Sequence, residues 1–256
     1  MRNAQCVMKN AILVVSFGSA DDSIRAKTFD KLAAEISAQF TDFEVRQAFT
    51  SQFIIKKLAA HGILIQTPAE EILKLRGEGF ERIIILPTHL TAGEEFDNKI
   101  KICAASDIEI IQPLMSEPLD EKILSTILEC FKQEEDEDLI LIGHGSPHRH
   151  NPVYENLQRF TGDRVHIGVI EESDTPNFAD VVKRLKKSRA DKILLASLLF
   201  NGGVHLSEDI AGEKNSWKSK LTAQGYKIRV IHEGLGAFEK FRELYIKKLA
   251  KIINGA

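Results

Sequence analysis

The sequence predicts an α/β fold built from two similar halves, each with a mostly parallel sheet and flanking helices. Three observations predict it. Short apolar runs alternate with stretches of helical periodicity along the 256 residues. The alternation restarts after an acidic run at 134–138, and three stretches of the first half recur in the second.

In the first half, four apolar runs predict strands at 11–16, 43–49, 82–87 and 108–112. Helical spacing predicts helices at 21–40, 53–60 and 67–79, one that opens at 91–96, and one at 119–133. Asp21 or Asp22 is expected to cap the first of these helices. Thr67, Pro68 and Glu70 have the spacing of a capping box with proline at the first helical position.

In the second half, strands are predicted at 139–143, 164–170, 191–197 and 227–232. Helices are predicted at 151–161, 176–187, from about 202, and at 237–253. Regular alternation of strand and helix implies parallel pairing with right-handed crossovers. The acidic run is expected to be a solvated linker, which predicts an N-terminal half at 1–134 and a C-terminal half at 135–256.

The internal repeat aligns the two halves at three strand ends. The stretch 12–19 matches 139–146, 45–51 matches 165–171, and 82–95 matches 192–205 without a gap. A Thr-Pro pair precedes the third strand of each half, at Thr67 and at Thr175, and is interpreted as a helix start in both. The alignment places Phe17 opposite His144, Ser51 opposite Glu171, and Glu95 opposite His205.

Four polar residues stand just after the carboxyl ends of predicted strands: His144, Glu171, His205 and Glu95. Ligands of open α/β sheets bind at these ends, so two facing flavodoxin-like halves would present the four residues to one cleft. Two neutral imidazoles and one carboxylate suit a borderline divalent ion such as Co²⁺, Fe²⁺, Ni²⁺ or Zn²⁺. The sequence therefore predicts a metal site at His144, Glu171 and His205 with open coordination positions.

The remaining histidines receive weaker interpretations. His148 and His150 are expected to be surface residues or supports for the site rather than ligands. His61, His166 and His232 are assigned no role. Ser146 follows His144 by two residues, so a hydrolase interpretation stays open, although no GxSxG motif is present.

Composition narrows the classes of partner and compartment. A net charge of −3 offers no basic surplus, which excludes duplex nucleic acid as the expected partner. No apolar run is long enough for a membrane span, and residues 1–10 lack the apolar core of a signal peptide. Three scattered cysteines are typical of a reducing compartment, so the expected location is the cytoplasm. The oligomeric state is not specified, and a homo-oligomer stays open.

Several stretches of the chain resemble the larger, two-domain type of class II chelatase, the sirohydrochlorin cobalt chelatases of anaerobic cobalamin synthesis. The resemblance runs from Met8 onward, and its most specific parts are the motifs at 14–19, 48–58, 93–96, 143–145, 168–171, and His205 with 216–218. It implies the chelatase fold: two α/β halves, each with a four-stranded parallel sheet, and an active-site cleft between them.

The resemblance also implies roles for individual residues. His144 and His205 are similar to the family's paired metal-binding histidines, and Glu171 to the carboxylate that completes the site. Glu95 is similar to a further catalytic acid at the cleft. Glu172 directly follows Glu171, so the ligand could be either glutamate. His89 stands where relatives also carry a histidine before the Gly-x-Glu turn. In some relatives a histidine in this region binds haem, and that role is not carried over.

The implied enzyme is a lyase that inserts a divalent metal into the tetrapyrrole sirohydrochlorin and needs no organic cofactor. The metal is its substrate, with Co²⁺ expected first. Fe²⁺ insertion for sirohaem and Ni²⁺ insertion stay open, because ligand type does not separate these ions. A non-catalytic metal or haem carrier is the alternative from a different class.

Overall fold

A computed structural model describes residues 9–116, 118–146 and 149–255. The chain divides into two compact units. Unit 1 comprises Met1–His89, Glu94–Pro113 and Lys248–Ala256, and unit 2 comprises Leu90–Gly93 and Leu114–Lys247. The division of the duplicated halves at 134/135 stays a prediction.

Unit 1 is organised around a four-stranded parallel sheet. Its strands are β1 (Asn10–Ser16), β2 (Phe43–Phe49), β3 (Arg82–Pro87) and β4 (Ile108–Ile110), in the spatial order β2-β1-β3-β4. Its helices are α1 (Asp22–Lys27), α2 (Phe29–Gln39), α3 (Gln52–Ala59), α4 (Pro68–Gly77) and α5 (Glu94–Lys99). The central strands β1 and β3 are almost wholly buried, which explains their continuous apolar sequences.

Unit 2 contains a second parallel sheet with the equivalent order, β6-β5-β7-β8. The strands are β5 (Glu137–Gly143), β6 (Val165–Val169), β7 (Lys192–Ser197) and β8 (Lys227–Val230). The helices are α6 (Glu121–Cys130), α7 (Val153–Arg159), α8 (Phe178–Ser188), α9 (Trp217–Thr222) and α10 (Glu239–Asn254), whose last residues group with unit 1. A π-helix spans His205–Ile210. The predicted α/β class and the two parallel sheets are confirmed.

Two predicted helix starts have different outcomes. Thr67 caps α4 through the predicted box, since Glu70 N–H donates to the Thr67 hydroxyl and the Glu70 carboxylate accepts from Thr67 N–H at 2.9 Å. The repeated pair at Thr175 does not begin a helix. There the cap is Asn177, which forms its own box with Asp180 ahead of α8.

The predicted helix at 21–40 is interrupted. Asp21 caps α1 as expected, but Thr28 leaves the helical region of backbone space and separates α1 from α2. Its hydroxyl donates to the Ile24 carbonyl at 2.7 Å. A threonine hydroxyl that bonds back to the preceding turn in this way competes with regular helix geometry.

The acidic run is not a solvated linker along its whole length. Glu137 and Asp138 are the first residues of β5, and both are buried. The Glu137 carboxylate pairs with Arg229 at 2.5 Å, and Asp138 contacts His166 at 2.9 Å and Arg164 at 3.3 Å. These partners lie far away in the sequence, so local composition could not reveal that the two acids are compensated.

Candidate metal centre

His144 lies immediately after β5, at the carboxyl end of a central strand of the unit 2 sheet. Glycines flank it, and Gly145 has a φ of +78°, in the left-handed region that favours glycine. The His144 ring is turned so that Nδ1 lies 3.1 Å from the Gly145 carbonyl oxygen. A carbonyl accepts only, so Nδ1 carries the proton and Nε2 is the nitrogen with a free lone pair.

His205 begins the π-helix that follows β7, the strand beside β5. Its Nδ1 lies 2.8 Å from Oδ2 of Asp209, four residues further along the chain. The carboxylate selects the same tautomer as in His144, again leaving Nε2 available. π-helical turns are rare in proteins, and those that do occur are often found at functional sites.

The two histidine rings meet in space. Their centroids are 4.6 Å apart and their planes are inclined at 89°. Among the described residues, no protein group hydrogen-bonds to Nε2 of either ring. The structure therefore brings together the two predicted imidazole ligands, with both rings fixed through Nδ1.

Glu171 adjoins His144 through the main chain, since its N–H donates to the His144 carbonyl at 3.0 Å. Glu171 is half-buried, whereas the neighbouring Glu172 is exposed and pairs with Lys220 at 3.1 Å. The ion pair occupies Glu172, which favours Glu171 as the free carboxylate. Within the described ranges, no three His, Cys, Asp or Glu side chains are grouped to hold a metal ion, so the third ligand stays a prediction.

Glu95, the predicted catalytic acid, belongs to unit 1. It is the second residue of α5 and is half-buried. In the internal repeat, Glu95 aligns with His205 and Ser51 aligns with Glu171. Ser51 has a structural role. The Ser51 hydroxyl caps α3 by accepting from Ile54 N–H at 3.4 Å.

The other histidines differ in their surroundings. Both ring nitrogens of His89 are buried without a hydrogen-bond partner, and burial lowers the pKa of this residue to about 4. His166 forms a buried pair with Asp138, and burial lowers its pKa as well. His150 contacts the buried carboxylate of Asp174 at 2.7 Å, which agrees with a supporting position. His148 lies outside the described residues.

Sequence reasoning missed Asp209. The available signal was its spacing, because residues four apart share one face of a helix and can contact each other. The turn before His205 reads Asn-Gly-Gly-Val and contains no acidic residue. The acidic partner of His205 lies after it, inside the helix.

The fold is that of known chelatase structures. SirB from Bacillus subtilis with Fe³⁺ superposes with a TM-score of 0.59 at 16% identity, covering 95% of each chain. The sirohydrochlorin chelatase SirB from B. subtilis subspecies spizizenii, in complex with cobalt, superposes with a TM-score of 0.61 at 14% identity over 97% of each chain. Because the sequence identities are this low, the structural similarity shows the fold alone, which is the α/β architecture of the SirB chelatases.

The family follows from the sequence. A model of the cobalt chelatase (CbiK) family matches residues 10–254, and this chain belongs to that family. The sirohydrochlorin cobaltochelatase of Salmonella typhimurium is 26% identical over 266 residues, covering 97% of this chain and 98% of the relative. The sirohydrochlorin cobaltochelatase CbiKC of Nitratidesulfovibrio vulgaris is 26% identical over 267 residues, covering 96% and 91%. In the part of the chain that the structure describes, no helix is both long and apolar enough to cross a membrane.

Proposed function

We propose that this protein catalyses the insertion of Co²⁺ into sirohydrochlorin. The observation that carries the proposal is the perpendicular pair of His144 and His205 rings, 4.6 Å between centroids, with Nδ1 of each ring engaged. Two neighbouring imidazoles, each with Nε2 available, supply the donor type that a borderline divalent ion binds. The names of the relatives supply the metal and the tetrapyrrole.

In the proposed reaction, Nε2 of His144 and of His205 bind Co²⁺, and Glu171 adds a negative charge that helps to neutralise the dication. Transfer to the macrocycle replaces two pyrrole N–H protons by the metal, so two protons must leave for each ion inserted. An imidazole that releases the metal regains a lone pair and can accept one of them. We propose Glu95 as the acceptor of the other.

The reaction needs no organic cofactor, because the metal and the tetrapyrrole are both substrates. Cys103 and Cys130 are unpaired thiols, which agrees with a reducing compartment such as the cytoplasm. Fe²⁺ and Ni²⁺ suit the same ligands, and the choice among them depends on supply and on selectivity measured directly.

The test is a turnover assay that follows the absorbance change of sirohydrochlorin on metal insertion, with Co²⁺, Fe²⁺ and Ni²⁺ in parallel. We expect many turnovers with Co²⁺, whereas a carrier would stop after one equivalent. His144→Ala and His205→Ala are each expected to abolish insertion while thermal unfolding stays close to that of the wild type. The exposed His61, replaced in His61→Ala, is the control. Near-normal Co²⁺ insertion by either ligand variant would overturn the assignment.

A further inference from the structure

Two buried side chains contact the main chain of residues 144–146, here called the His144 loop, in addition to the backbone bond from Glu171 N–H to the His144 carbonyl. The first is Tyr154 on α7, only 4% exposed. Its ring fills the space beside Gly143, where an added Cβ would lie 2.2 Å from Tyr154 Cε1. Its hydroxyl hydrogen-bonds to the backbone of His144 and Gly145 and to the Thr91 side chain. Burial raises the pKa of the Tyr154 phenol, and these hydrogen bonds offset part of that rise.

The second side chain is Asp174, whose carboxylate is fully buried. Oδ2 accepts from Ser146 N–H at 2.9 Å. Oδ1 accepts from Thr175 N–H at 2.8 Å and contacts His150 Nδ1 at 2.7 Å. Because burial of a carboxylate is costly unless its oxygens are bonded, these contacts explain how the charge is tolerated.

The peptide group between Gly145 and Ser146 connects Asp174 to His144. Its N–H donates to Asp174, and its carbonyl accepts from Nδ1 of His144. The two bonds leave a planar peptide in opposite directions, so the carboxylate fixes the orientation of the carbonyl that holds the imidazole. A charged acceptor at one end also polarises the amide and strengthens the bond at the other end.

The geometry points to Asp174 as a positioning residue for His144, acting through the Gly145–Ser146 peptide as Asp209 acts directly on His205. This inference rests on the proposed metal site. A hydrogen-bond partner on the distal nitrogen orients a metal-binding imidazole and increases its basicity as a ligand. Asp174 also stands on the segment that carries Glu171, because Asp174 N–H donates to the Glu171 carbonyl at 3.2 Å. Asp174 thus supports the loop of one predicted ligand through its carboxylate and the segment of another through its backbone N–H.

The test compares Asp174→Asn with Asp138→Asn in the full-length protein. Asp138 is a second buried aspartate of unit 2, bonded to His166 and Arg164 and not to any predicted ligand. We measure Co²⁺ affinity by titration, the visible Co²⁺ absorption spectrum at saturation, and unfolding by denaturant. Asp174→Asn is expected to weaken Co²⁺ binding about 10–100-fold and to alter the spectrum, as loss of such partners does at other metal sites. Asp138→Asn is expected to lower stability and leave both metal readouts unchanged.

A second pair covers the outcome in which Asp174→Asn fails to fold. Tyr154→Phe keeps the ring and removes the hydroxyl, and it is expected to weaken Co²⁺ binding about fivefold, the value of one hydrogen bond. Tyr245→Phe alters another fully buried tyrosine and is its control. If His144→Ala loses the metal but a folded Asp174→Asn keeps the wild-type affinity and spectrum, the inference is overturned and the metal site is not. If Asp174→Asn does not fold, the same result in Tyr154→Phe overturns the inference. Undiminished Co²⁺ binding by His144→Ala would overturn the metal site and the inference together.

Discussion

At the residue scale, the histidine pair is defined by what each Nδ1 contacts. A histidine ligand must present one nitrogen to the metal with the other protonated, and a hydrogen bond on the second nitrogen sets this choice. His144 uses a carbonyl of its own loop and His205 uses a carboxylate on its own π-helix. Local chain geometry thus selects the tautomer at both positions.

His89 provides a prediction about stability and pH. Its buried ring has a pKa of about 4 in the folded protein, against 6.5 as the ordinary value. Below pH 6.5 the unfolded chain binds a proton at His89 that the folded protein does not bind. The free energy of unfolding therefore falls as the pH drops from 6.5 towards 4. The difference amounts to at most about 3 kcal/mol. We expect His89→Leu to lose correspondingly less stability over this interval, measured by denaturant unfolding at pH 7, 5.5 and 4.

His61→Leu is the matched control because His61 is exposed. At pH 7 the His89→Leu variant is expected to be no less stable than the wild type, since it removes two buried nitrogens that have no partner. Equal pH dependence in wild type and His89→Leu would contradict the prediction.

The residues that sequence reasoning found and those it missed differ in the range of their interactions. His144 and His205 could be found because each follows an apolar strand, and strand ends are where ligands of parallel sheets bind. Asp209 could have been found from its spacing. Asp174 could not, because its bond to Ser146 joins positions 28 residues apart and depends on how two loops meet.

At the scale of elements, buried central strands were predictable because burial on both faces requires a continuous apolar run. Sequence patterns gave the wrong prediction where a buried charged residue pairs with a residue distant in the sequence, as Glu137 does with Arg229. They also failed at the break between α1 and α2, where the Thr28 hydroxyl bonds to the preceding turn. Hydrophobic periodicity carries no information about either kind of bond.

Gly168 on β6 shows how one residue sets the packing of two elements. A Cβ at this position would lie 2.5 Å from Trp217 Cη2 and 3.2 Å from a methyl group of Val181. Trp217 is buried in the core of unit 2 and contacts Phe178 edge to face. We expect Gly168→Ala to lower the free energy of unfolding by about 1–3 kcal/mol, because the indole must move to make room. Chemical denaturation measures the change.

Gly162→Ala is the matched control, since nothing lies within 4 Å of an added Cβ there. It is expected to change stability by less than about 1 kcal/mol, in the stabilising direction. If the two variants unfold alike, the close packing of Trp217 on β6 does not contribute as inferred.

At the scale of the whole molecule, the two sheets have the same strand order but carry different chemistry at their carboxyl ends. β1 is followed by Phe17, which is 46% exposed, whereas β5 is followed by His144. That the two sheets share one order was foreseeable from the repeat, because equivalent strands kept equivalent sequences. The divergence at the strand ends predicts that metal binding is a property of unit 2.

The effect of Co²⁺ on thermal stability distinguishes metal binding by unit 2 from binding elsewhere in the chain. A ligand that binds only the folded state stabilises it by about 2.7 kcal/mol at a hundredfold excess over its dissociation constant. Saturating Co²⁺ is therefore expected to raise the unfolding temperature of the wild type and of Phe17→Ala by several degrees, as measured by scanning calorimetry. The double variant His144→Ala/His205→Ala is expected to show no rise. Mg²⁺, which prefers oxygen ligands, is the control ion and should leave all three proteins unchanged. A Co²⁺-dependent rise that persists in the double variant would show that the chain binds this metal elsewhere.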